Sequence, residues 1–157
     1  MNYLIKRSGF LSDLSYLYFR LTGLNSSYLQ LKMSQKNILV VEDEEMTARL
    51  IVYRLKALGH NVVHKKDGID GYEYILSNKP EVLVLDVMLP GMSGFEILEN
   101  LNQSEEIDLS QLKVIMLSTK NRTEDISRGF NLGAMEYVPK PFKMDEFLLR
   151  LNRVINQ

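Results

Sequence analysis

From Asn37 onward the apolar positions of this chain alternate between two rhythms. Short unbroken runs, ILVV at 38–41, VLVL at 82–85 and VIML at 114–117, are separated by longer amphipathic stretches such as EMTARLIVYRLKAL. Runs of Val, Ile and Leu without polar alternation suit strands covered on both faces, and apolar residues three and four apart suit helices. The pattern predicts strands near 37–42, 61–64, 81–86, 113–118 and 135–138. It predicts helices near 45–58, 68–77, 94–103, 122–132 and 143–155, with Gly59 and Gly133 as C-terminal stops. Strands alternating with helices are the signature of an α/β fold, a parallel sheet with crossover helices.

The polar residues that close these runs carry the chemistry. ILVV ends on Glu42 and Asp43, VLVL on Asp86, VIML on Ser118, and MEYVPKPF carries Lys140. In an open parallel sheet, ligands sit beyond the carboxyl ends of the strands, so the fold is expected to gather these five side chains into one crevice. Three adjacent carboxylates repel unless a cation sits among them or one stays protonated. Oxygen-only ligands completed by water suit Mg²⁺. The alternative for each acid is a helix cap, and the same alternative holds for Ser118.

Lys140 stands between Pro139 and Pro141, where two prolines restrict the backbone and a cis Lys–Pro bond is an option. A compact ammonium facing carboxylates and a metal suits a phosphoryl oxygen. With a hydroxyl beside it and Asp86 as an already ionised nucleophile, the set describes a phosphoryl-transfer site that forms an aspartyl phosphate.

Composition narrows the classes. The chain has 157 residues, enough for one domain with a core, no cysteine, and only His60 and His64. That excludes disulfides and Cys/His zinc sites, and a reducing cytoplasm fits. Residues 1–33 carry a net charge of +3 and the remainder −4. A mildly acidic domain argues against direct nucleic-acid binding, and no run of apolar residues is long enough for a transmembrane segment. Residues 1–33 match nothing in the rest and are read as an N-terminal extension, helical or without fixed structure, ahead of a domain over 34–157. Leu14, Leu17, Leu21 and Leu24 follow helical spacing there, Ser12, Asp13 and Ser15 weaken a secretory signal, and Met33 is a plausible start.

The motifs ILVVEDE, VLVLDVMLPGMSGFE, VIMLST and GAMEYVPKPF, in this order, resemble the receiver domain of two-component response regulators, over residues 36–156 or so. The resemblance implies a flavodoxin-like, doubly wound five-stranded sheet in order 2-1-3-4-5 with five helices, the order of which a chemotaxis receiver is a known example. By the same resemblance Asp86 is the phosphoacceptor. Asp43, Asp86 and the backbone carbonyl of Met88 bind Mg²⁺, with Glu42 acting through a coordinated water. Lys140 pairs with the phosphoryl group, Ser118 moves toward it, and Tyr137 is an aromatic switch that turns inward in response. The implied partners are a sensor histidine kinase or histidine phosphotransfer protein, a downstream effector or output domain, and, as an option, a second copy in a phosphorylation-dependent homodimer. The domain is not expected to be an enzyme beyond its own phosphorylation and dephosphorylation.

Two departures from the family pattern stand out: Thr119 follows the switch hydroxyl, which predicts slower turnover, and Met135-Glu136 replaces an acid pair, which weakens the case for a charge-paired dimer. Glu146 and Arg150 resemble the last helix of receivers joined to DNA-binding domains, so a stand-alone receiver and a receiver from a transcriptional regulator both stay open. A haloacid-type phosphatase is disfavoured because Met88 stands where a second Asp belongs, and no Ser/His/Asp elbow is present.

Overall fold

In a computed structural model, the structure describes residues 35–104, 107–120 and 122–157. The expectations for residues 1–33 lie outside the described residues. Five parallel strands, β1 (Asn37–Val41), β2 (Asn61–Lys65), β3 (Val82–Asp86), β4 (Lys113–Ser118) and β5 (Ala134–Pro139), form one sheet in the order β2-β1-β3-β4-β5. Between and after them run five helices: α1 (Glu45–Ala57), α2 (Gly68–Asn78), α3 (Gly94–Gln103), α4 (Thr123–Asn131) and α5 (Met144–Ile155). The expected fold class and strand order are those observed. Boundaries differ from the sequence reading by about a residue, the usual scatter at fraying ends.

The central strand β3, VLVLD, is buried at every position, which is why its sequence lacks alternation. Burying each of its Leu and Val side chains contributes about 1.5–3 kcal/mol. At the edge, β2 is only partly covered and reads as the less apolar NVVHK. On one helical layer α5 seals the sheet with Phe147, Leu151, Val154 and Ile155. A 3-10 turn at Leu109–Gln111 was not foreseen; Asp108 starts it by accepting the Ser110 N–H at 2.9 Å, a local bond that leaves no periodic trace.

Register is what aligns the strand ends. Val41 lies opposite Leu85, Asp86 opposite Leu117 and Ser118 opposite Pro139, so the next residues of β1 and β5, Glu42 and Lys140, leave the sheet at its carboxyl edge beside Asp86. Two glycines let the loop after β3 close down there. A Cβ on Gly94 would lie 2.3 Å from the backbone oxygen of Asp86, and one on Gly68 1.7 Å from that of Met92. Only glycine permits such backbone approach.

Candidate functional site

Glu42, Asp43 and Asp86 converge: one carboxylate oxygen from each lies within 4.8 Å of the others. Glu42 is fully buried and Asp86 is 4% exposed, whereas Asp43 faces solvent. The Lys140 ammonium reaches across from β5. It straddles both oxygens of Glu42, at 2.8 and 2.6 Å, and donates to Asp86 Oδ2 at 2.8 Å. The Lys140–Pro141 bond is cis, and the Lys140 N–H donates to the Ser118 carbonyl at 2.7 Å, so the residue is tied to β4 by its backbone before its side chain is placed.

One ammonium serves two buried carboxylates, and the pKa shifts reflect that imbalance. Burial, reinforced by the nearby Asp86 charge, pushes Glu42 up to about 7 even though Lys140 and the Glu44 N–H pull it down. Burial alone depresses Lys140, but hydrogen bonds to Asp86 and Glu42 more than offset it and its pKa rises. The cation is over-compensated and Glu42 is under-compensated. An acidic pocket of this kind, with oxygen donors only and one side open through Asp43, fits a small divalent cation such as Mg²⁺.

Helix capping does not account for these residues. Of the helices that follow the strand ends, α1 has Glu44 at its N-cap position and α4 has Arg122, and neither side chain makes a cap bond. Asp86 does not cap α3 either: Ser93 does that through a capping box with Glu96. Asp86 instead accepts the Met88 N–H on Oδ1 at 3.1 Å, which holds the residue whose carbonyl the family resemblance assigns to the metal. The fully buried Ser118 accepts the Lys120 N–H at 2.8 Å, a local turn bond and not a helix cap.

Tyr137, the expected aromatic switch, is 5% exposed, and its hydroxyl donates to the Lys120 carbonyl at 2.8 Å. Lys120 is thus bonded to Ser118 through its N–H and to Tyr137 through its C=O. The ring fits because Gly129, the one buried residue of α4, leaves only 3.0 Å between an added Cβ and Tyr137 Cδ2. Nothing in the chain's periodicity signals that slot. Beside Lys140 a cavity of about 370 Å³ is lined by Thr47, Leu50, Thr119, Phe142 and Met144 among others, which places Thr119 on the approach to the ammonium.

Sequence reasoning missed what two residues do. Glu136, in place of a family acid, is buried at 7% exposure and bonded to Arg150 at 3.0 Å and Arg153 at 2.5 Å from α5. Both of its oxygens are thus engaged within the chain. His64 donates to a backbone atom of the acidic loop, and no strand-end pattern marks it.

Comparisons with known proteins agree with this fold. The family model described as the response regulator receiver domain matches residues 38–152. The transcriptional regulatory protein YkoG of Bacillus subtilis is 37% identical over 125 residues, covering 80% of this chain and 53% of that protein. The alkaline phosphatase synthesis transcriptional regulatory protein PhoP of the same species is 34% identical, over 78% of this chain and 49% of its own length. The chain spans about half the length of the curated relatives it matches. Among solved structures, the non-phosphorylated HemR receiver domain from Leptospira biflexa aligns with a TM-score of 0.69 and 35% identity, covering 78% of this chain and 96% of that one. Among the described residues no helix is long and apolar enough to cross a membrane.

Proposed function

The chain belongs to the response regulator receiver family and has a signalling role, and on that premise we propose that it accepts a phosphoryl group on Asp86 from a sensor histidine kinase or histidine phosphotransfer protein. The observation that carries the reading is Lys140, held 2.8 Å from the Asp86 carboxylate by a backbone bond to β4. Its ammonium already sits where a negative oxygen on Asp86 would need a partner. Asp86 supplies the nucleophilic oxygen, and a carboxylate needs no general base to attack.

Glu42, Asp43, Asp86 and the Met88 carbonyl are the groups that would hold Mg²⁺. Bound there, the ion supplies positive charge against phosphoryl oxygens. The protein's own residues do the rest. Glu42 and Asp86 keep Lys140 charged, Met88 N–H orients one oxygen of Asp86 and leaves the other to Lys140, and the buried Ser118 hydroxyl stands at the neighbouring strand end.

Adding about −1.5 to −2 charges and three acceptor oxygens at Asp86 gives Ser118 a new partner. Ser118 Oγ then leaves the Lys120 N–H, and the loop that also anchors Tyr137 is released or reset. Because Tyr137 is already inward, phosphorylation shifts the population of an existing arrangement and the face formed by α4, β5 and α5 is the readout. The domain is cytoplasmic in this reading. It is either a stand-alone receiver or the input half of a transcriptional regulator such as those it resembles, whose output domain, not this one, reads DNA.

The test is direct. Incubation with Mg²⁺ and acetyl phosphate should give an acid-stable, base-labile adduct, and Asp86→Asn should abolish it. Label that survives the substitution would move the acceptor elsewhere.

A further inference from the structure

His64 is the last residue but one of β2, outside the set of acids, hydroxyl and ammonium that the strand ends supply. Its Nε2 lies 2.8 Å from the backbone carbonyl oxygen of Glu42, a contact across 22 residues of chain. A carbonyl oxygen only accepts, so Nε2 carries the hydrogen and His64 is the donor.

The peptide joining Glu42 to Asp43 is planar, so the Glu42 carbonyl and the Asp43 N–H turn as one unit. Fixing that oxygen fixes the direction from which the chain enters Asp43. Glu42 has other anchors: its N–H donates to the Lys65 carbonyl at 3.1 Å, and its carboxylate is bonded to Lys140 and to the Glu44 N–H. Asp43 has none of its own, because it is exposed and its side chain makes no hydrogen bond or ion pair among the described residues. Its carboxylate nevertheless lies within 4.8 Å of those of Glu42 and Asp86.

We propose that His64 is a positioning residue for the acidic loop: by donating Nε2–H to the Glu42 carbonyl it sets the Glu42–Asp43 peptide plane and so holds the Asp43 carboxylate in the cluster. This rests on reading that cluster as a Mg²⁺ site. Without the donor, the plane is free to turn its carbonyl toward water, and the most exposed of the three acids loses its registration with the buried two. The effect belongs to cation binding and not to packing, since a ring of the same shape without the donor fills the same space.

The experiment is a Mg²⁺ titration of the whole chain followed by amide shifts in ¹⁵N NMR, with no phosphodonor present. His64→Phe keeps the ring and removes the donor, and it should weaken Mg²⁺ binding roughly three- to tenfold, the effect of one lost hydrogen bond. His64→Gln places an amide nitrogen near the former Nε2 and should restore affinity to within about twofold of wild type, a rescue that packing alone would not produce. Wild-type affinity in His64→Phe overturns the proposal, and so does a Gln variant as weak as Phe. Asp43→Asn serves as the control on the underlying reading. If it leaves the titration intact, the cluster is not the Mg²⁺ site at all; if it abolishes the response while His64→Phe binds normally, only the role of His64 falls.

Discussion

At the amino edge of the sheet Lys36 pairs with Glu81 at 2.7 Å and Lys113 donates to the carbonyl of Ile155 at 2.8 Å, one partner for each cation. At the carboxyl edge two buried carboxylates, Glu42 and Asp86, compete for Lys140, and Asp43 adds a third negative charge. The side chains of Lys36 and Glu81 keep 24% and 41% of their surface in water, whereas those of Glu42 and Asp86 keep 0% and 5%. The same scaffold thus balances its charges at one edge and concentrates an excess of one sign at the other, the edge that carries the proposed site. Buried like charges without enough partners destabilise a fold, so such an excess persists where a ligand's charge offsets it.

Removing the cation from each edge tests that contrast most strongly. Lys140→Met leaves two buried carboxylates without their cation and should cost about 3–5 kcal/mol in urea unfolding with EDTA at neutral pH. Lys36→Met removes one member of a part-exposed pair and should cost less than about 1 kcal/mol in the same assay. Added Mg²⁺ should recover part of the loss in Lys140→Met and leave Lys36→Met unchanged. Equal losses at both edges would mean that the carboxyl edge stores no excess charge.

A smaller effect separates the edges by backbone crowding. Gly94→Ala drives a Cβ to 2.3 Å from the Asp86 carbonyl, so the loop or the strand end must move. A cost of about 1–3 kcal/mol follows, together with loss of phosphoryl acceptance, because the displaced atom belongs to Asp86, the proposed acceptor. Gly59, between α1 and β2, has φ of +91° and nothing within 4 Å of an added Cβ. Gly59→Ala should therefore cost about 1–2 kcal/mol through conformation alone and leave phosphorylation intact. Denaturation midpoints and acetyl phosphate labelling of both variants distinguish crowding at the site from strain remote from it.

These contrasts also mark where sequence reading succeeded. Strand ends were legible because β3 and its neighbours are buried on both faces, so a polar residue closing an apolar run has few reasons to be there: Glu42, Asp86 and Ser118 announced themselves that way, and Lys140 by its place between two prolines. Asp43 was found because it adjoins Glu42. Convergence was expected from strand ends sharing one edge of a parallel sheet, the strand order came from the family resemblance, and the register came only with the structure. What stayed hidden depends on side chains meeting across the fold. The bond from His64 to the Glu42 carbonyl, the inward Tyr137 over Gly129 and the two arginines on Glu136 join residues from different elements or from positions with no polar interruption to mark them. Glu136 also shows why an acid in a strand can be missed: it is buried but fully paired within the chain, which leaves less reason for it to face a second copy.

The smallest expected effect lies at the amino edge and concerns pH. His60 is 4% exposed, its Nδ1 accepts the Lys36 N–H at 3.3 Å, and its Nε2 is buried without a partner among the described residues. Burial first, and then the Lys36 charge, depress its pKa below the ordinary 6.5, while Glu81 opposes them. A base whose folded pKa lies below its unfolded value favours the folded state when neutral. Its contribution is fully present above 6.5 and is lost as pH falls through the lowered folded value. Protonation at Nδ1 would also break the bond from Lys36. Wild-type melting temperature should therefore decline between about pH 8 and about pH 5 more steeply than that of His60→Gln, which carries no titrating ring. Parallel profiles would show that His60 gains its proton without cost, and that the amino edge tolerates an added charge as readily as the carboxyl edge tolerates an excess of negative ones.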